Sequence, residues 1–192
     1  MKITFLPFVL AAFFSSCHKD PANNPWPEPV MRYSDLNNTE ISKDQFRYID
    51  LDGDGKNDIG FSTVLVGDPL EKQDKLQFIV TSNFFTSLPV DENENVPVLG
   101  KNEKIPLENF AVFNWYNACS IVLAQEITPL TGPPFWTGNW KTSYHNYLPV
   151  QVKSNDKRFN GWVELSFDTA NKKTILHRAA ISKIAEREIK SG

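Results

Sequence analysis

The sequence predicts an all-β, mainly antiparallel domain, folded as a β-sandwich or open barrel, and three observations carry that expectation. Beyond residue 30 apolar residues recur mostly at every second position, the period of a strand that buries one face. Turn-forming clusters interrupt those runs at Gly67-Asp68-Pro69, Leu88-Pro89, residues 91–95, Gly100-Lys101-Asn102 and Gly132-Pro133-Pro134, and short strands between frequent turns make sandwiches or open barrels. Helical signals are thin: residues 113–125 can be read either way, and 182–190 predict a short C-terminal turn or helix.

In chain order, Phe46 and Tyr48 open the alternation, followed by Ile59, Phe61, Thr63 and Leu65 against Gly60, Ser62 and Val64. Leu76, Phe78 and Val80 repeat it, then Phe110 and Val112, then Ile121, Leu123 and Ile127. The clearest hairpin lies near the end. There Val163, Leu165 and Phe167 alternate with Glu164, Ser166 and Asp168, Thr169-Ala170-Asn171-Lys172 supplies a turn, and residues 174–180 return. No repeat with a period of tens of residues stands out, which disfavours a propeller or solenoid. One β-rich domain over 31–192 is the economical organisation.

Length and composition bound the function classes. At 192 residues, 41% hydrophobic and 22% charged, the chain can bury a real core but cannot be a large multidomain enzyme. Twenty Lys+Arg against 23 Asp+Glu, with no basic run, leave no electrostatic footprint for nucleic acid.

The N-terminus reads as an export address. Lys2 precedes an uncharged apolar stretch, residues 3–14, of 12 residues, well short of the roughly 20 that span a bilayer as a helix. Small residues follow, so residues 1–16 are expected to be a signal peptide rather than a retained anchor. Phe14-Ser15-Ser16-Cys17 resembles the lipobox of bacterial lipoproteins, with Phe14 where that family prefers Leu. The resemblance implies that Cys17 becomes the first mature residue and carries lipid, making the membrane a partner. Residues 17–30 then form a tether, with Pro21, Pro25, Pro27 and Pro29 stiffening it. Trp26 within it is assigned no binding role. An acylated Cys17 leaves Cys119 without a disulfide partner, and no base adjoins it in sequence, so Cys119 is expected to be a small core residue.

The sharpest chemical signal is Asp50-Leu51-Asp52-Gly53-Asp54-Gly55-Lys56-Asn57-Asp58. Carboxylates at alternate positions, a turn-permitting glycine and a fourth carboxylate at the ninth position match the start of an EF-hand-type calcium loop. Such spacing wraps Asp50, Asp52, Asp54, the Lys56 carbonyl and Asp58 around one hard cation, with Ca2+ the expected ion. An EF-hand needs Glu at the twelfth position, and here that place is Phe61 between strand-like flanks. The loop therefore resembles the calcium sites of FG-GAP, thrombospondin type 3 and dockerin-like repeats, over about 14 residues. That resemblance implies ligation by the four aspartates and nothing about fold or partners. A structural clip for the hairpin 46–66 is the expected role.

Residues 135–147 gather Trp136, Trp140, Tyr144 and Tyr147 among amides and a lysine. Exposed, these rings would stack on a glycan; turned inward, they would cap the β core. His18, His145 and His177 show no zinc spacing, and there is no GxSxG elbow or phosphate loop. Over its whole length, with the late Gly161 to Phe167 strand and the Ile189 to Gly192 terminus, the chain resembles a broad class of exported bacterial proteins to which no activity is attached. The expectation is a lipid-anchored, calcium-stabilised module of a Gram-negative cell envelope, at the outer membrane. It would be non-enzymatic, binding or structural, with a glycan or an envelope protein as partner. An envelope hydrolase is the alternative from another class.

Overall fold

A computed structural model describes residues 29–192; the expected signal peptide, Cys17 and the tether up to Glu28 lie outside the described residues. The strands are β1 (Met31–Ile41), β2 (Phe46–Ile49), β3 (Ile59–Asp68), β4 (Gln73–Ser82), β5 (Thr86–Val90), β6 (Lys104–Ile105), β7 (Asn114–Asn117), β8 (Ser120–Pro129), β9 (Phe135–Thr137), β10 (Asn146–Ser154), β11 (Lys157–Asp168), β12 (Lys173–Ser182) and β13 (Ile189–Lys190). They form a six-stranded sheet in the order β1-β12-β11-β10-β5-β7, a five-stranded sheet in the order β2-β3-β4-β8-β9, and a ribbon of β6 with β13. Every pairing of the two large sheets is antiparallel.

The all-β expectation holds, as a sandwich. Ile49, Ile59, Phe61, Val80, Ile121 and Leu123 of the smaller sheet pack against Leu88, Leu148, Val150, Val163, Leu165 and Leu176 of the larger one in a single core. The terminal hairpin forms as expected, with Phe167 opposite Thr174 and Asp168 opposite Lys173.

The large sheet also buries much of its outer face. Trp162, Tyr147 and Ala180 point away from the main core and pack against Leu99, Ile105 and Ile189, the last two from the β6/β13 ribbon. This explains why Asn160 to Phe167 are all buried although the sequence alternates polar with apolar. Asn160 holds the loop onto the sheet: its Nδ2 donates to the carbonyls of Ile105 and Pro106 at 3.2 and 3.1 Å, and Gln151 Nε2 donates to its Oδ1 at 2.9 Å.

Three local expectations are corrected. Residues 182–190 form no helix: Glu186 adopts φ 55, which a helix cannot contain, and Ile189 is buried by pairing with Ile105. Residues 113–125 hold β7 and β8, broken by Ala118 at φ 50. In β2 the core-facing residue is Ile49; Phe46 and Tyr48 are 68% and 53% exposed on the outer face, because the strand's inward parity is set by Ile49 and Leu51.

Trp140 has no exposed surface, and its Nε1 donates to the Val96 carbonyl at 3.4 Å. Trp140→Ala is expected to cost about 3–5 kcal/mol, as truncating a buried tryptophan does, read as a lower urea midpoint with an unchanged strand spectrum.

Candidate metal centre

The loop 50–58 joins β2 to β3, so its ends are fixed by strand pairing before any ion is considered. Ile49 pairs with Ile59, and Asp58 N donates to the Ile49 carbonyl at 2.9 Å, closing the loop at its base. Gly53 and Gly55 take φ 72 and 88, where a side chain is disfavoured. At Gly53 a side chain would also collide with the Arg32 guanidinium, which donates to the Asp52 carbonyl from β1.

The aspartates fold the turn around themselves. Asp50 accepts from Gly53 N at 2.5 Å and Gly55 N at 2.9 Å, one bond on each oxygen, and Asp52 Oδ1 accepts from Asp54 N at 3.0 Å. Asp58 Oδ2 accepts from Leu51 N at 2.7 Å and Asp52 N at 3.4 Å. Asp50, Asp52 and Asp58 each present a carboxylate oxygen within 4.8 Å of those of the other two. A carboxylate has about four lone-pair sites, so these bonds leave acceptor capacity on all three. Three convergent hard oxygen donors are the kind that Ca2+ takes, with carbonyls and water making up the rest of its coordination.

Asp54 stands apart. Its Oδ2 pairs with Lys56 Nζ at 3.0 Å and its Oδ1 accepts from Lys56 N at 2.8 Å, and it is not one of the three converging carboxylates. The sequence grouped Asp54 with the other ligands; the described geometry bonds it to the Lys56 N–H and ammonium, and the hydrogen bond from that ammonium lowers the Asp54 carboxyl below its ordinary value.

Asp58 is the buried member. Burial, reinforced by the charges of Asp52 and Asp50, raises its carboxyl to about 6 against the pull of the Leu51 and Asp52 N–H groups. Thr86 Oγ1, at the start of β5, donates to its Oδ1 at 3.4 Å, and Asn83 Nδ2 donates to the Asn57 carbonyl at 2.7 Å. Arg32, Asn83 and Thr86 lie too far along the chain for the loop's spacing to have pointed to them.

The aromatic stretch does not form an open platform. Trp140 and Tyr147 are core residues, and Trp136 packs on Phe78 and Phe167 at 5.8 and 5.4 Å between ring centres. Of the four rings named as ligand candidates only Tyr144 is exposed, at 78%. The inward-turned alternative therefore describes Trp140, Tyr147 and most of Trp136. Cys119 is a half-buried free thiol 3.3 Å from Ser82 Oγ. Comparison of the chain with protein-family models, with curated proteins and with solved structures finds no match. The class of the molecule is accordingly the one its coordinates define: an antiparallel β-sandwich with an acidic loop between two strands of its smaller sheet.

Because the fold raises Asp58 above its ordinary 3.8, the ion-free fold favours the protonated carboxyl. Its contribution is full below about pH 4 and is lost as the pH rises through about 6. In chelator, this component should lower the melting temperature of the wild type relative to that of Asp58→Asn as the pH rises from 4 to 7. Asp58→Asn should flatten that component; a parallel curve for the variant would contradict it.

Proposed function

We propose that the protein is a lipid-anchored module of the cell envelope whose sandwich is clipped by one Ca2+ in the loop 50–58. The observation that carries this reading is the convergence of Asp50, Asp52 and Asp58 on a turn closed at both ends by strand pairing. Three carboxylates held this close repel one another, and one is buried; a divalent cation removes both costs at once. The centre is structural: its ligands come from one turn that the flanking strands and Arg32 already hold.

The export reading rests on Lys2, the apolar residues 3–14 and Ser16-Cys17. Prolines between Cys17 and Val30 would hold the domain off the surface. With Cys17 lipidated, the domain folds without a disulfide and the ion substitutes for one as a cross-link. Presenting the sandwich to an envelope partner, as a binding or structural module, is the role this arrangement suits.

At Ca2+ about 100-fold above Kd, the ion should stabilise the fold by about 2.7 kcal/mol, or a melting temperature rise of roughly 5–10 °C for a domain this size. Asp52→Ala and Asp58→Asn should abolish the rise, whereas Asp54→Ala should keep most of it. Equal unfolding in calcium and in chelator would defeat the calcium reading. Separately, the full-length protein expressed in a Gram-negative host should sediment with membranes, and Cys17→Ser should move it to the soluble fraction; identical partitioning would defeat the anchor.

A further inference from the structure

On the outer face of the large sheet a second polar cluster spans β1, β12, β11 and the turn before β10. Ser166 Oγ lies 2.8 Å from His177 Nε2, and His177 Nδ1 lies 2.7 Å from Asn38 Oδ1. With the Asn38 carbonyl oxygen facing it, Nδ1 carries the proton, so Nε2 offers its lone pair to the Ser166 hydroxyl. That is the order nucleophile, base and orienting group, from three adjacent strands.

The backbone is irregular where the relay is built. His177 is the one residue of β12 between the pairs Glu164↔Arg178 and Leu165↔Leu176, a bulge, and β1 sets residues 36–38 against it. Asn38 and His145 both adopt φ 51, the left-handed region that asparagine and histidine enter more readily than most residues other than glycine. Bulges re-aim side chains, and regular pairing would leave His177 on the same inward or outward alternation as its neighbours. Two strand irregularities, in β1 and β12, thus meet beside one hydroxyl.

The surroundings keep the base neutral. His145 stacks on His177 with ring centres 4.0 Å apart, and its Nδ1 lies 2.7 Å from the buried Glu164. Burial of the carboxylate is outweighed by its bonds to Arg178 and His145, which hold it ionised; Arg178 also reaches the Tyr147 hydroxyl. Desolvation first, then the charges of His145 and Arg178, lower His177 below an ordinary histidine, against the opposing pull of Glu164. Near neutral pH its imidazole is therefore an acceptor. His145 N also donates to Ser166 Oγ at 2.9 Å, which fixes the oxygen with its own hydrogen directed at His177.

We propose that Ser166, with His177 as its base and Asn38 as the positioning residue, is an acyl-accepting nucleophile for small esters. Ser166 Oγ forms a bond to the ester carbonyl carbon while its proton passes to His177 Nε2. The alkoxide then leaves with that proton, giving acyl-Ser166 and an alcohol. Water, deprotonated by the same nitrogen, hydrolyses the acyl group and restores the hydroxyl. Ser166 is 4% exposed, which restricts the nucleophile to small acyl donors. The exposed Tyr144 ring meets the His145 ring edge-on, 4.6 Å between centres, beside the relay.

The test is reaction of the full chain with methanesulfonyl fluoride, a small reagent, located by peptide mass spectrometry. The Ser166 oxygen–sulfur bond would form as fluoride leaves and the hydroxyl proton passes to His177. A single adduct on Ser166 is expected, with a rate that rises with pH through a midpoint below the ordinary histidine value. His177→Gln should slow it by roughly 100-fold or more, the contribution of a general base, with an unchanged strand spectrum and melting curve. Asn38→Asp, which can only accept the Nδ1 proton, should keep the reaction. p-Nitrophenyl acetate should give one equivalent of acyl-Ser166 in the wild type. No adduct on Ser166, adducts scattered over exposed serines, or labelling unchanged in a folded His177→Gln protein would overturn the proposal.

Discussion

A carboxylate held away from water must be neutralised, protonated or bonded, and Asp58 meets that demand at the junction of β2 and β3. Its Oδ2 takes the N–H groups of Leu51 and Asp52, and its Oδ1 takes the Thr86 hydroxyl. These bonds fold the loop back onto its own base, which brings Asp50 and Asp52 to the same point. The rest of that end of the sandwich follows. Asn83 and Thr86 tie the β4–β5 turn to the loop, and Arg32 ties β1 to it. On the reading proposed above, a divalent cation would complete this arrangement by replacing mutual repulsion among the carboxylates with shared ligation.

The opposite side of the molecule obeys a second constraint. The large sheet is covered on its inner face by the smaller sheet and on part of its outer face by the β6/β13 ribbon, so polar residues of β11 cannot simply face water. Asn160 resolves this by holding the loop carbonyls, Glu164 by pairing with Arg178 and His145, and Ser166 by bonding to His145 N and His177. The same pressure that satisfies buried polar groups has therefore assembled an ordered chain from hydroxyl to imidazole to amide. The acidic loop and the relay share β1, through Arg32 and Asn38, but the loop joins β2 to β3 whereas the relay joins β11 to β12.

Much of this architecture could be read before any coordinates. The alternation at Ile59 and Phe61, at Leu76 to Val80 and at 163–180 is local, and each run became a strand. The spacing of Asp50, Asp52 and Asp58 is likewise local, because a nine-residue turn carries its donors with it. Non-local effects were illegible. Whether Phe46 faces in or out depends on where Ile49 meets the core, and the fate of 182–190 depends on Ile105, far back along the chain. Trp140 and Trp136 look alike as exposed or buried rings until the two sheets are placed. The Ser166, His177 and Asn38 relay had no signature either: its members come from three strands, brought into register only by two bulges.

The central claim is that a cation at Asp50, Asp52 and Asp58 fastens the β2–β3 hairpin and the turn beside it. Amide hydrogen exchange of the full chain, in calcium and in chelator at pH 7, tests that directly. Calcium should slow exchange across residues 46–66 and 83–86 and leave β10 to β12 nearly unchanged, because the loop's bonds reach the first group and not the second. Exchange in 46–66 that is the same with and without calcium would contradict the account.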